Sequence, residues 1–323
     1  MSEIEKLYKE FLDYLEIEKG SSLKTRENYE RYLTRFLKYS KIKKVKDIDA
    51  ETVRGFRLWL NRQPNAPWKS EKKFEEISTE DEHKTLSRKT QNYYLIALRM
   101  FLKYLTKRNI KCMPADQIEL AKIPSRSLED LITKDELMRI FESAEGDGLK
   151  SLRDRAILEL LFSTGLRVTE LCSLPRDINI DSPELSVRGK GAKVRVVFIS
   201  SDARQAVKKY LAKRTDMEDA LFVRLDFGGK NKKRELRMKS NLDRHSIERI
   251  VRHYARKAGV SKKVTPHTMR HLFATDLLSN GADIRSVQAL LGHSSIITTQ
   301  IYTHVTDKHL EEIHKKFHNR KQI

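Results

Sequence analysis

Apolar side chains recur at steps of three and four residues over the first part of the chain. Such stripes run through residues 25–39 and 87–107, and shorter ones through residues 4–12 and 53–60. A period near 3.6 residues is typical of amphipathic helices, and Ser87 is a suitable N-cap for the longest of them. We therefore expect residues 1–112 to form a small helical bundle whose aromatic side chains lie in its core.

Two stretches break this periodicity. Residues 63–86 are rich in charge and contain prolines, which predicts an exposed insertion in the bundle. Residues 113–130 hold two further prolines and predict a basic linker to a second domain, residues 131–323. A chain of 323 residues suits two domains, on a prior of roughly 100–200 residues each.

The second domain combines helical stripes with one short β pattern. Apolar runs at residues 185–188 and 194–199 flank a turn with two glycines, which predicts a hairpin. Thr133 and Glu136 have the spacing of a capping box, and Gly165 is placed to end an apolar helix. Helices are expected at residues 134–144, 152–164, 202–214 and 244–258. The expected fold is mainly α with a small β-sheet.

The charge of the chain indicates a polyanionic partner. It has 65 Lys and Arg against 45 Asp and Glu, a formal charge of +20, and residues 151–300 alone hold 29 basic and 16 acidic side chains. Nucleic acid or an acidic membrane surface would suit this excess, although a generic basic protein would also show it. No apolar run approaches the ~20 residues of a membrane span, and the charged start is unlike a signal peptide. Two cysteines without a CxxC pair predict a reducing, cytoplasmic location.

The segment TPHTMRH combines a helix start with groups that bind phosphate. His267, Arg270 and His271 stand at i, i+3 and i+4 and share one face near the positive helix end. The two histidines also have zinc-ligand spacing, but Thr268 stands where a zinc protease needs Glu, and Arg270 would repel a cation. We predict no metal here, and we expect His271 to have a structural role.

Other candidates are weak one by one. Arg167 follows a helix-ending glycine and Glu170 could orient it, or the two could form an ordinary surface ion pair. Lys190 stands between two glycines at the hairpin tip, where a lysine is usually just solvated. His293 follows Gly292 at a helix end, and Tyr302 stands nine residues later, where a packing role is the common one.

Taken in order, these motifs resemble a known family. TGLR..EL, GKG.K.R, HTMRH and LGHSS, followed by a tyrosine nine residues after the last histidine, are similar to the tyrosine recombinase/integrase family, and most of all to its Xer-type members. The resemblance covers nearly the whole chain, and residues 25–39 are similar to the family's SAM-like core-binding domain. It implies a helical core-binding domain followed by a mixed α/β catalytic domain.

The resemblance also implies an active site. Its positions map onto six residues: Arg167, Lys190, His267, Arg270, His293 and Tyr302. By that resemblance Tyr302 attacks a DNA phosphodiester and forms a 3′-phosphotyrosyl bond, His267 accepts the tyrosine proton, and Lys190 protonates the leaving 5′ oxygen. The arginines and His293 would stabilise the phosphate oxygens, with no metal, ATP or other cofactor. Glu170 and His271 would support these groups.

The implied partners are double-stranded DNA and further copies of the chain. Asp307 can cap a terminal helix with an apolar stripe of Leu310, Ile313 and Phe317, which in Xer-like proteins docks into a neighbouring subunit of a tetramer on two DNA sites. The same helix could instead pack on its own domain. The long insertion favours an element-encoded integrase or a plasmid resolvase over a chromosome-dimer resolvase. Accessory proteins are left open, and the competing hypotheses are a type IB topoisomerase and a DNA-binding protein that has lost catalysis.

Overall fold

The computed structural model describes residues 2–64, 85–123, 132–189, 193–225, 241–293 and 295–300. The chain forms two compact units, Met1–Ser125 and Arg126–Ile323. Within the described ranges, no helix combines the length and apolar character needed to cross a membrane.

The described residues of the first unit form a bundle of four α-helices: α1 (Glu3–Ile17), α2 (Leu23–Ser40), α3 (Ala50–Asn61) and α4 (Arg88–Lys107). Their N-caps are Ser2, Ser22, Asp49 and Ser87, and each cap side chain accepts a hydrogen bond from a backbone N–H of the first turn. The aromatic stripes face inward and are buried, among them Phe11, Phe36, Phe56 and Phe101. The predicted helices and their aromatic core are confirmed.

The predicted insertion falls between α3 and α4. Residues 65–84, which make up most of it, lie outside the described residues. Its two ends meet, because Pro64 and Thr85 form an isolated β-bridge and the Leu86 N–H donates to the Gln63 carbonyl at 3.0 Å. The chain therefore leaves and rejoins the bundle at one place.

The second unit surrounds a buried helix with further helices and one hairpin. The helices are α5 (Lys134–Ser143), α6 (Leu149–Thr164), α7 (Val168–Cys172), α8 (Ser201–Ala212), α9 (Arg244–Lys257), α10 (Pro266–Ser279), α11 (Ile284–Leu291) and α12 (Ile297–Gln300). The strands β1 (Glu184–Arg188) and β2 (Val194–Phe198) pair antiparallel, with Val187 opposite Arg195. The capping box of Thr133 and Glu136 and the hairpin are as the sequence predicts. Helix α6 begins three residues before its predicted start, after the N-cap Gly148.

Helix α6 is the base of this unit. It is apolar around most of its circumference, and five of its residues are fully buried: Ala156, Ile157, Leu158, Leu160 and Leu161. A helix of that kind needs partners on all sides, and α8 and α10 pack against it. A smaller apolar cluster of Ala274, Leu278, Val287 and Leu291 joins α10 to α11. The end of α6 and the end of α11 are both held through α10.

Candidate active site

The site is built where two helices end in glycine. Gly165 ends α6 with φ +59°, and Gly292 ends α11 with φ +62°. Glycine tolerates this left-handed conformation because it has no Cβ. Gly165 also has no room for one, since a Cβ there would stand 2.4 Å from the Phe273 ring. Helix ends of this type leave backbone carbonyls without partners inside the helix.

Arginines from three elements supply those partners at the end of α11. They donate to three successive carbonyls: Arg195 to Leu290 at 3.0 Å, Arg270 to Leu291 at 2.6 Å, and Arg167 to Gly292 at 3.0 Å. The negative end of the helix dipole favours cations at this place. Three positive charges thus gather directly before His293.

Arg167 lies at the N-cap of the short helix α7. Its Nη1 donates to Glu170 at 2.9 Å, and its backbone N–H donates to the other carboxylate oxygen at 2.8 Å. The Arg167 side chain remains 35% exposed while that of Glu170 is 4% exposed. Burial by itself raises the pKa of Glu170, but hydrogen bonds from Arg195 and Arg167 outweigh it and lower the pKa to about 2. The carboxylate is therefore ionised and holds Arg167 in place.

Arg195 is a member of this cluster to which sequence reasoning assigned no role. Both of its terminal nitrogens donate to Glu170, one to each carboxylate oxygen, at 2.8 Å. The only sequence signals are its place in the GKG.K.R pattern and its position on the same strand face as the buried Val197. Glu170 is thus a buried carboxylate shared by Arg167 and Arg195. It is not half of an ordinary surface ion pair, which was the alternative interpretation.

Arg270 is the most deeply placed of the arginines. It extends from α10, is 3% exposed, and its Nη1 donates to the Gly165 carbonyl at 2.6 Å. Together with its bond to Leu291, this joins the ends of α6 and α11 through one side chain. Arg270 thus places a buried guanidinium between the two helix ends.

The two histidines of α10 are neighbours, as their spacing predicts. The rings of His267 and His271 meet edge to face, with centroids 4.2 Å apart. His267 is exposed and His271 is half-buried. Among the described residues, no three His, Cys, Asp or Glu side chains come together as metal ligands would.

His293 is fixed at both its backbone and its ring. Its N–H donates to the Gln288 carbonyl at 3.1 Å, and Gln288 Nε2 donates back to the His293 carbonyl at 3.1 Å. Its Nδ1 lies 2.9 Å from Oγ1 of the fully buried Thr299. Burial, followed by the charges of the nearby arginines, lowers the pKa of His293 to about 4. The ring is neutral near pH 7, with Nε2 not used by the threonine.

Sequence reasoning gave Thr299 no role, because a run of two threonines offers no reason to choose either.

Lys190 and Tyr302 lie outside the described residues. On either side of the undescribed residues 190–192, the Gly189 N–H donates to the Lys193 carbonyl at 2.8 Å. In chemical terms, buried guanidiniums and a neutral imidazole form a site that suits a phosphate diester.

Comparisons with known proteins show the family to which this chain belongs. Residues 130–309 match the phage integrase family, and residues 8–109 match its N-terminal SAM-like domain. The chain is similar to tyrosine recombinase XerC of Thermodesulfovibrio yellowstonii, with 37% identity over 95% of this chain and 94% of the relative. It is also similar to tyrosine recombinase XerD of Listeria monocytogenes, with 34% identity over 97% and 99%.

Two solved structures share its fold. One is the Tn1549 transposon integrase in complex with transposon right end DNA, with a TM-score of 0.68 and 18% identity over 99% of this chain and 100% of that one. The other is the XerH site-specific recombinase bound to palindromic difH substrate, with a TM-score of 0.64 and 24% identity over 93% and 82%.

Proposed function

This chain belongs to the phage integrase family and is a tyrosine site-specific recombinase, and from that premise we propose how its residues cut and rejoin duplex DNA. The Tyr302 oxygen attacks a backbone phosphorus and forms a 3′-phosphotyrosyl bond, while the bond to the 5′ oxygen breaks. A 5′ hydroxyl of another strand then attacks the same phosphorus and releases the tyrosine. Because each step exchanges one phosphodiester for another, no ATP is needed, and guanidinium groups supply the positive charge that a metal would otherwise provide.

The observation that carries this proposal is the convergence of Arg167, Arg270 and His293 at the end of α11. A phosphodiester repels nucleophiles through its negative charge, and further charge develops on its oxygens in the transition state. Arg167 is exposed enough to present its guanidinium to a phosphate oxygen. Arg270 contributes a buried positive charge that is fixed by the two helix ends. His293, neutral at physiological pH, donates from Nε2.

Proton transfer falls to His267 and Lys190. A tyrosine hydroxyl has a pKa near ~10 and needs a base to attack at neutral pH. We assign that task to His267, which is exposed at the N-terminal end of α10 and backed by the His271 ring. Lys190 gives a proton to the departing 5′ oxygen. Glu170 keeps Arg167 oriented.

The substrate is double-stranded DNA. Both solved relatives with the same fold were determined with DNA, and a net charge of +20 suits a polyanion. We further propose a tetramer on two DNA sites, linked by the terminal helix that starts near Asp307, with any accessory protein acting from outside it. A cytoplasmic location follows from the substrate.

The experiment starts by selecting bound sequences from a random duplex library with the Tyr302→Phe variant. A selected site is then rebuilt with a nick beside the scissile phosphate, so that the cut fragment diffuses away and the adduct accumulates. We expect a covalent protein–DNA band with the wild-type chain, and none with Tyr302→Phe at equal DNA binding. A wild-type chain that binds the selected site without ever forming the adduct would contradict the proposal.

The same substrate separates the remaining hypotheses. A type IB topoisomerase would relax supercoiled plasmids that lack the selected site, as a monomer, and would not exchange strands between two sites. A chain without catalytic activity would bind and form no adduct. The full set of candidate residues in family order favours the recombinase over both.

A further inference from the structure

One arginine of the cluster has a protein acceptor for each of its three side-chain nitrogens. Arg195 extends from β2, and its side chain is 12% exposed. Its two terminal nitrogens bind the two oxygens of Glu170, and its Nε binds the Leu290 carbonyl. This fork-to-fork geometry fixes the plane of the carboxylate as well as its position. These contacts make Arg195 a structural partner of Glu170 and of the end of α11, rather than a phosphate ligand.

The carboxylate that Arg195 holds is the one that orients Arg167. Glu170 carries one negative charge between two guanidiniums, so the trio keeps a net charge of +1. Without Arg195, Glu170 would neutralise Arg167 alone and compete with a phosphate for it. The contact of Arg195 with Glu170 thus keeps Arg167 oriented and leaves its positive charge only partly compensated by the carboxylate.

Two glycines lie close to the Arg195 side chain. A Cβ on Gly292 would lie 2.9 Å from Arg195 Cδ, and a Cβ on Gly189 would lie 3.2 Å from its Nη1. A distance of 2.9 Å is one that real Cβ atoms essentially never show, and 3.2 Å is tighter than most of their contacts, so Arg195 packs where a side chain at either position would stand. These glycines directly precede Lys190 and His293 in the chain.

We propose that Arg195 is a positioning residue for DNA strand cleavage, which sets the places of Arg167 and His293 together without touching the phosphate. It does so through Glu170 for Arg167, and through Gly292 and the end of α11 for His293. This inference rests on the proposed function, because it concerns the geometry of the same reaction.

The test compares Arg195→Met and Arg195→Lys with the wild-type chain on the nicked substrate. We expect Arg195→Met to bind the site within about 3-fold of wild type, while single-turnover cleavage at saturating DNA falls on the order of 100-fold. Arg195→Lys keeps the charge and loses the fork, so it should recover part of the rate. The effect should appear in the maximal rate rather than in the DNA concentration needed for half of it.

Two further measurements distinguish positioning from a general loss of stability. With Arg195 gone, the pKa of Glu170 should rise, because burial then acts against fewer hydrogen bonds. Because protonated Glu170 no longer holds Arg167, cleavage by Arg195→Met should be lost on acidification at a higher pH than cleavage by the wild type. In a double-mutant cycle, Glu170→Gln should cost less in the Arg195→Met background than in the wild type.

Arg204→Met is the matched control. It makes the same change at a half-buried arginine of α8 that donates to the Asp181 carbonyl, away from the cluster. It should cleave at the wild-type rate. If the wild-type chain forms the adduct and Arg195→Met forms it equally fast, or if the two mutations of the cycle act additively, the role of Arg195 is refuted. A wild-type chain without adduct would refute the proposed function instead.

Discussion

The three arginines at the end of α11 differ in how much of each side chain water can reach. Arg167 is about a third exposed, Arg195 is mostly covered, and Arg270 is buried. A buried guanidinium needs fixed partners because its charge loses the solvation of water, and backbone carbonyls and Glu170 provide them. Exposure therefore distinguishes Arg167, which solvent can reach, from Arg195 and Arg270, whose guanidiniums are fixed by protein partners.

A hydrogen bond to Thr299 orients the ring of His293, as the bond to Glu170 orients the guanidinium of Arg167. We expect Thr299→Val to slow cleavage roughly 10-fold or more, because the ring loses the partner that fixes its tautomer and orientation. The pKa of His293 should stay well below its ordinary value, since burial is the main cause of its low pKa. Nitrogen-15 NMR of labelled histidine measures both the tautomer and the titration.

Thr298→Val is the control for this change. It alters the adjacent, exposed threonine and should leave both the rate and the spectrum unchanged. The wild-type ring should carry its proton on Nε2 at neutral pH, ready to donate. If Thr299→Val leaves both the tautomer of the His293 ring and the cleavage rate unchanged, Thr299 does not position that ring.

At the scale of elements, the site depends on helices that end abruptly. The left-handed glycines let α6 and α11 stop within one residue, so that Arg167 and His293 follow each end closely. Gly259, just after α9, has φ +72° but nothing within 4 Å of an added Cβ. These positions share a backbone conformation and differ in their surroundings, which separates backbone strain from side-chain contact.

We expect Gly292→Ala and Gly259→Ala to lower the free energy of unfolding, each by about 1–2 kcal/mol from the left-handed conformation. Gly292→Ala should also reduce cleavage roughly 10-fold or more, because its Cβ would displace the pinned Arg195 side chain. Gly259→Ala should cleave as the wild type does. Thermal unfolding and single-turnover cleavage measure the two effects separately. Equal cleavage by both variants would show that the contact with Arg195 does not matter.

At the scale of the whole molecule, each unit has its own apolar core. The core of the first unit is formed within residues 4–118 and includes side chains from all four helices of the bundle. The second is formed within residues 132–272 around α6. A set of contacts complete within one stretch of chain is the usual condition for independent folding.

We therefore predict that a fragment of residues 1–125 folds alone and unfolds in one cooperative transition, measured by circular dichroism. Phe56→Ala, at a fully buried position of α3, should cost the fragment about 3–5 kcal/mol. Leu58→Ala, at an exposed position of the same helix, should cost little. A fragment without a cooperative transition would place part of its stability elsewhere in the chain.

The sequence by itself determined the helices, their caps and the hairpin. Periodicity, the capping box of Thr133 and the glycines at 165 and 292 act over a few residues, so their effects can be deduced from neighbours in the chain. The order and spacing of the motifs also identified the family that the relatives confirm. The six candidate residues came from the same patterns.

Only the tertiary structure decided where the described candidates lie and which groups they contact. The partners of the arginines are far away in the chain: Gly165 is 105 residues from Arg270, Leu290 is 95 from Arg195, and Gly292 is 125 from Arg167. No local pattern contains such pairs, which is why Arg195 and Thr299 had no assigned role. Burial, which lowers the pKa of His293 and leaves Arg167 open to solvent, likewise arises only when α6, α10 and α11 pack together.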